Sequence, residues 1–121
     1  MKIVKGPEKN GAGKIEISEL KEMAKKMHDN LVKAMVDVEK EIIAVDAGLH
    51  ADLLELLIEE ENSEPKNVWG INIFPDKTGE DLIEFDSIMN VKPAFNNRTR
   101  GVDDENIRKK IIGIVNKLIV K

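Results

Sequence analysis

Apolar and polar residues alternate through residues 68–92, and this pattern predicts a β-hairpin. A period of two sends neighbouring side chains to opposite faces of a strand, so one face is predicted to be apolar and the other mostly polar. The most compact register centres the connecting loop on Thr78, which sets Asn72 opposite Glu84 and Gly70 opposite Asp86. The apolar positions are Trp69, Ile71 and Ile73 in the first arm and Ile83, Phe85, Met89 and Val91 in the second.

Two other stretches have helical spacing. The first predicts an amphipathic helix with Ser18 as its N-cap and an end near Asp29 or Asn30. The second predicts a C-terminal helix with Asp103 as its N-cap. The apolar stripes are Leu20, Met23, Ala24, Met27 and Leu31 in the first helix and Ile107, Ile111, Ile114, Val115 and Leu118 in the second.

The remaining segments are less decisive. Residues 32–46 are rich in β-branched side chains, which favours two strands turning near residues 39–41, although a helix also fits the spacing. Residues 49–61 fit a helix by their leucine content or a further strand of a meander. Ile3 and Val4 are predicted to form an edge strand.

These elements predict one α+β domain over residues 1–121. It contains an antiparallel sheet of four to five strands packed on one face by two helices. Residues 1–16 are interpreted as a short edge strand and a flexible loop, and residues 93–102 as a long surface loop. A chain of 121 residues has the usual length of a single domain.

The composition of the chain excludes several classes of protein and several kinds of functional site. With 35% charged and 41% apolar residues the chain has the composition of a soluble globular domain. No apolar run approaches the roughly 20 residues of a membrane span, and the N-terminus has no signal-peptide core, so we expect a cytoplasmic protein. The absence of cysteine excludes a thiolate nucleophile and Cys-ligated zinc. Residues 6–14 are glycine-rich but lack the phosphate-binding loop pattern, since Ile15 stands where a hydroxyl is required.

His50 and Asp52 are the candidate acid–base residues. On a strand, residues two apart share a face, so this pair could move a proton. A metal ion would need a further ligand such as Asp86 or Glu84. We predict neither a metal nor a cofactor, and the simpler interpretation is a histidine hydrogen-bonded to Asp52 at the end of the sheet. A lone His28 near a helix end is interpreted as structural.

Arg98 and Arg100 in the surface loop are candidates for anion binding, because a guanidinium offers a rigid fork of donors. Residues 92–110 contain six basic and three acidic residues, a net charge of +3, whereas the whole chain carries −4. That overall charge and an aromatic content of 3% argue against a dedicated nucleic-acid binder. Alternatively, the two arginines pair with the acidic residues at positions 103–105 and lock the loop.

Five segments with distinctive residues follow one another in a fixed order: residues 49–52, 68–75, 83–87, 97–99 and 103–107. Together they resemble an uncharacterised family of small bacterial and archaeal proteins known only as a domain of unknown function. The resemblance covers about residues 17–118 and implies no activity. Lys92, Ala94, Phe95 and Asn96 stand where Arg, Ser, Gln and Gly are usual in that family.

Two functions follow from these residues. The first is a binding or interaction module that presents a polar sheet face and the basic loop to an anionic small molecule or a partner protein. The second is a small hydrolase or lyase with His50 as acid–base, Asp52 as its orienting partner and Arg98 as anion clamp. A homo-oligomer stays open. The predicted ligand-binding residues are Asn72, Asp86, Asn90, Asn97, Arg98 and Arg100.

Overall fold

The computed structural model describes residues 1–6, 13–27 and 30–121. His28 and most of the glycine-rich loop lie outside the described residues, as does the predicted end of the first helix at Asp29. In the described part the strands are β1 (Lys2–Val4), β2 (Ile15–Glu16), β3 (Val32–Asp37), β4 (Ile42–Val45), β5 (Val68–Ile73), β6 (Ile83–Glu84) and β7 (Ile119–Val120). The helices are α1 (Ile17–Met27), α2 (His50–Glu61) and α3 (Glu105–Leu118).

Five strands form one antiparallel sheet in the order β1-β4-β3-β5-β6. The predicted α+β class with an antiparallel sheet is therefore confirmed. The helices α1 and α3 pack on one face, where they meet the alternate side chains of β3, β4 and β5. A separate parallel pair, β2 with β7, joins the start of α1 to the end of α3.

The opposite face of the sheet is covered by α2. Leu53 and Leu57 of this helix are buried against Met35 and Val68, which point away from α1 and α3. The structure thus assigns residues 50–61 to a helix, an assignment that the sequence left open. Because helices cover both faces, β3 and β5 are buried over nearly their whole length, including the hairpin face that was predicted to be polar.

The β3–β4 hairpin confirms the prediction of two strands in residues 32–46. The turn between the two strands contains no Gly, Asn or Pro, the residues that usually stabilise such turns. Here the Asp37 carboxylate stabilises the turn instead. Its Oδ1 accepts hydrogen bonds from the backbone N–H groups of Glu39 and Lys40, both at 2.9 Å. Glu41 completes the turn in the left-handed region, with φ +56°. A carboxylate that bonds nearby backbone groups is a known alternative to a glycine turn.

Both predicted N-caps are wrong. The helix α1 begins at Ile17, directly after β2, so Ser18 lies in its first turn instead of at the cap. The N-cap of α3 is Asp104, whose Oδ1 accepts from the backbone N–H groups of Asn106 and Ile107. The Asp103 carboxylate instead accepts from the Thr99 hydroxyl at 2.6 Å and from the Arg98 backbone N–H at 3.2 Å.

The hairpin of β5 and β6 has the predicted register, with Asn72 opposite Glu84. The prediction of a second arm reaching Lys92 is wrong, because strand pairing ends at Glu84 and Gly70 does not pair with Asp86. Beyond that point the chain crosses over Gly70. A Cβ atom at Gly70 would lie 2.5 Å from the Ser87 Cβ, so only glycine permits this crossing.

The side chain of Asn90 replaces the missing strand partner of Gly70. Its Oδ1 accepts from the Gly70 N–H at 2.7 Å, and its Nδ2 donates to the Gly70 carbonyl at 2.9 Å. Nδ2 also donates to the Arg100 carbonyl at 2.9 Å. One buried amide therefore completes the sheet edge and fixes the loop that follows.

Asn97 fixes the other end of that loop. Its Nδ2 donates to the carbonyls of Asn90 at 2.7 Å and Gly101 at 2.8 Å, and its Oδ1 accepts from the Asp103 N–H at 2.7 Å. Its backbone also forms a β-bridge with Lys92. The segment between Asn90 and Asp103 is thus held by buried amides despite its irregular backbone.

We expect Asn90→Ala to lower the free energy of unfolding by roughly 2–4 kcal/mol, because it leaves the N–H and C=O of Gly70 buried without a partner. Urea denaturation measures the loss. The matched control is Asn106→Ala at an exposed position, where we expect a change within about 0.5 kcal/mol. A loss in Asn90→Ala no larger than in the control would contradict this role.

Candidate functional site

Four of the predicted site residues meet on the α2 side of the sheet, near its β6 edge. Cross-strand pairing sets Lys33 of β3 beside Asn72 of β5, and Asn72 beside Glu84 of β6. The Asn72 Nδ2 donates to Glu84 Oε1 at 2.8 Å. The group formed by Lys33, His50, Asn72, Glu84, Asp86 and Arg100 is called the polar cluster below.

Arg100 enters the polar cluster from the loop. Its Nε donates to Asp86 Oδ1 at 2.7 Å, and both side chains are partly exposed. The position of Arg100 is fixed through its backbone, since its carbonyl accepts from the Ser87 N–H at 2.9 Å and from Asn90 Nδ2. The alternative in which Arg100 pairs with residues 103–105 is therefore wrong, because its partner is Asp86.

His50 is the first residue of α2, and its ring is buried against β5. Nε2 lies 2.8 Å from the Ile71 carbonyl oxygen, which can only accept, so Nε2 carries the hydrogen. The Nδ1 atom then has a lone pair, and it has no hydrogen-bond partner among the described residues. Burial lowers the pKa of His50 below its ordinary value of 6.5, although the Ile71 hydrogen bond opposes this shift.

The charges of Lys33, Asp86 and Arg100 also act on the pKa of His50, which places the imidazole within their electrostatic reach. Lys33 and Arg100 lower this pKa, and Asp86 raises it. Cross-strand pairing, the hydrogen bond from His50 to Ile71 and the ion pair of Arg100 with Asp86 join residues of β3, β5, β6, α2 and the loop into one polar group.

The Lys33 side of the polar cluster favours negative charge. Lys33 is half-buried and has no hydrogen-bond or ion-pair partner within residues 1–6, 13–27 and 30–121. Nearby, the N-cap residue of α2 is Leu49, whose apolar side chain cannot accept a hydrogen bond, so the first backbone N–H groups of the helix keep their partial positive charge. Asn72 adds an acceptor, since its Oδ1 is buried without a partner in the described structure.

The predicted His50–Asp52 pair is not formed. The pair was inferred for a strand, but both residues lie in α2, where positions two apart leave the axis about 200° from one another. His50 is buried whereas Asp52 is exposed. Among the described residues no group of three His, Asp or Glu side chains could hold a metal ion.

Asn90 and Asn97, which were predicted to bind a ligand, instead use their side chains to hold the backbone of the loop. Both side chains are buried, and each amide uses its nitrogen and its oxygen in hydrogen bonds to the backbone. The guanidinium of Arg98 is exposed and has no partner in the described part of the chain. The arginine that acts on His50 is Arg100, two residues further along.

Sequence reasoning missed Lys33, and it considered Glu84 as the register partner of Asn72 and as a possible metal ligand. The register that placed Glu84 opposite Asn72 was correct. Lys33 joins the site because β3 pairs with β5, and no local sequence signal specified that pairing. Once the strand order is known, Lys33 can be recognised as a site residue because it is an unpaired lysine on a strand that is otherwise mostly buried.

The fold and the polar cluster define a class: a small α+β domain with an antiparallel sheet between helices and a polar site at one sheet edge. The chain belongs to the family described as Protein of unknown function (DUF5674), whose model matches residues 12–118. This match confirms the predicted family resemblance. Comparison with curated proteins and with solved structures found no match. No helix in the described ranges is long and apolar enough to cross a membrane.

We expect the imidazole of His50 to titrate below pH 6.5, because burial disfavours its charged form. The folded protein then binds fewer protons than the unfolded chain below that pH. The contribution of His50 to stability is therefore complete above pH 6.5 and is lost as the pH falls toward its folded-state pKa.

NMR titration of the two histidine ring signals measures this pKa, and His50→Gln assigns them. Denaturation of wild type and His50→Gln at pH 7.5 and pH 5.5 supplies a second readout. The stability advantage of wild type should be smaller at the lower pH. A His50 midpoint at or above 6.5 would contradict the burial argument.

Proposed function

We propose that this protein is a small binding module that holds an anionic group, a carboxylate or a phosphate, at the polar cluster. The anion belongs to a small molecule or to a partner protein. The observation that carries the proposal is Lys33, a half-buried residue of β3 whose ammonium has no ion-pair partner in the described structure. A cation without a counter-ion beside a partly buried protein surface is available to attract an incoming anion.

The surroundings of Lys33 add to this preference. The uncapped start of α2 offers backbone N–H donors, and Arg100 keeps guanidinium donors that its bond to Asp86 does not use. Lys33, Asn72 and Glu84 lie side by side on β3, β5 and β6, and at the β6 end the neutral Asn72 amide donates a hydrogen bond to the Glu84 carboxylate. A ligand with an anionic end toward Lys33 and a donor toward Glu84 therefore fits the distribution of charge.

The site is organised before a ligand arrives. Lys33 and Asn72 stand on central strands, and Arg100 is held through its carbonyl by Ser87 and Asn90. Groups fixed in this way lose little conformational entropy on binding, which raises affinity for a small anion. The irregular loop thus acts as a rigid wall of the site.

The hydrolase or lyase alternative has no such support. It required His50 and Asp52 on one face, and α2 separates them. The Nε2–H of His50 is also engaged with the Ile71 carbonyl. We therefore assign His50 a positioning role in binding, because its Nε2–H holds the start of α2 against the Ile71 carbonyl of β5.

Thermal-shift scans test the proposal with inorganic phosphate, citrate and ADP, each against chloride at the same ionic strength. A ligand that binds only the folded protein adds about 2.7 kcal/mol of stability at a concentration of 100 Kd. We expect at least one of these anions to raise the Tm of wild type. In Lys33→Ala and in Arg100→Ala the rise should fall by more than half.

Lys109→Ala is the matched control, because Lys109 is an exposed lysine of α3, which packs on the other face of the sheet. We expect its Tm to rise as in wild type. An equal rise in all variants would indicate general anion stabilisation and overturn the site. The absence of any rise in wild type would overturn the choice of an anionic ligand.

A further inference from the structure

A pocket of about 700 Å³ lies between α3 and the chain on either side of β6. It is called the α3 pocket below, and its wall contains Leu82, Ile83, Phe85 and Ile112. Ile83 and Phe85 also pack against the core that lies between the sheet, α1 and α3. The α3 pocket is therefore on the opposite side of the sheet from α2 and the polar cluster. Its volume is within the range of roughly 300–1,000 Å³ that small-molecule sites occupy.

One stripe of α3 forms the helical wall of the α3 pocket. Residues 105, 108, 112 and 116 lie three or four positions apart, so they share one side of the helix, and all of them line the pocket. Ile112, in the middle of this stripe, is 39% exposed, whereas its neighbour Ile111 is fully buried. Ile112 therefore adds apolar surface to the α3 pocket instead of to the core.

Arg108 gives the α3 pocket a positive charge that no carboxylate in the described structure neutralises. Its Nη1 donates to the Val102 carbonyl oxygen, which fixes the guanidinium but is a neutral acceptor. A guanidinium has five N–H donors, and this bond uses one of them. Arg108 is a half-buried residue without an ion-pair partner in residues 1–6, 13–27 and 30–121. Its charge and its other donors are thus available to a ligand.

The other charged residues around the α3 pocket are exposed and contribute less. The Lys109 Nζ lies 3.7 Å from Glu105 Oε1, and both side chains are 71% exposed. The Lys121 Nζ donates to Asn116 Oδ1 at 3.2 Å, again at the surface. Because solvent and salt screen exposed charges, the half-buried Arg108 is the charge that a ligand in the pocket meets most strongly.

We propose that the α3 pocket binds a small amphipathic anion, with a hydrocarbon or aromatic body and a single carboxylate. The apolar body lies against Ile83, Phe85 and Ile112, and its burial there supplies most of the affinity. The carboxylate accepts charge-assisted hydrogen bonds from Arg108, which select an anion over a neutral molecule of the same shape.

The pocket disfavours other kinds of anion. A phosphate or a citrate has no apolar body, so it would leave the apolar wall in contact with water. A polyanion such as nucleic acid would be repelled by Glu80 and Glu105, which also line the pocket. This site is therefore distinct from the polar cluster both in position and in the ligand that it selects.

Isothermal titration calorimetry with sodium octanoate tests this proposal. Wild type should bind one octanoate with a Kd below about 1 mM. Octan-1-ol lacks the charge and acetate lacks the apolar body, so each should bind at least tenfold more weakly. Arg108→Gln keeps a donor for the Val102 carbonyl but removes the charge, and it should raise the octanoate Kd at least tenfold. Ile112→Glu changes an exposed position and should have the same effect, because it places a carboxylate in the apolar wall.

Two variants serve as controls and should leave the octanoate Kd within twofold. Lys110→Gln removes an exposed lysine of α3 that does not line the pocket. Lys33→Ala alters only the polar cluster, so it separates this site from the one proposed above. NMR titration of the backbone amides should place the octanoate-induced shifts in residues 79–85 and 105–116. No saturable binding by wild type, equal affinity for octan-1-ol, or an unchanged Kd in either Arg108→Gln or Ile112→Glu would overturn the proposal.

Discussion

Both the edge of the sheet at β5 and β6 and the candidate site depend on the hydrogen bonds between the Asn90 side chain and the backbone of Gly70. Strand pairing stops at Glu84, so the buried N–H and C=O of Gly70 need other partners. Asn90 supplies both, and the same amide holds the Arg100 carbonyl. Because buried backbone groups are costly to leave unpaired, this one side chain determines where the loop runs. Arg100 meets Asp86 as a consequence.

Burial of the sheet on both faces explains why the site lies at its edge. The strands β3 and β5 carry apolar side chains toward α1 and α3 on one face and toward α2 on the other. Apart from Asp37, whose carboxylate builds the β3–β4 turn, the polar side chains of these two strands lie where α2 begins and the loop crosses. Lys33 and Asn72 occupy that position, and the N-terminus of α2 adds its dipole there.

The loop between Asn90 and Asp103 carries two arginines with different surroundings. The side chain of Arg100 donates to Asp86 in the polar cluster, whereas the backbone N–H of Arg98 donates to Asp103. Lys92 links the loop to the core, since its ammonium lies 4.9 Å from the centre of the Trp69 ring and burial lowers its pKa. The buried amides of Asn90 and Asn97 hold the backbone of this loop through hydrogen bonds to Asn90, Arg100 and Gly101, so neighbouring side chains have different partners.

Elements whose hydrophobic pattern is local could be predicted from the amino-acid sequence. A period of two predicted both hairpins and the register of Asn72 with Glu84, and helical spacing predicted α1 and α3. It also indicated His50, Asn72, Asp86 and Arg100 as polar residues of interest. The helix at residues 50–61 could not be predicted in the same way, because a leucine-rich segment fits a helix or a strand until packing against the sheet selects one. The pairing of β3 with β5, which brings Lys33 to the site, and the use of Asn90 and Asn97 as scaffold amides arise from contacts between residues distant in sequence. Local periodicity carries no information about such contacts.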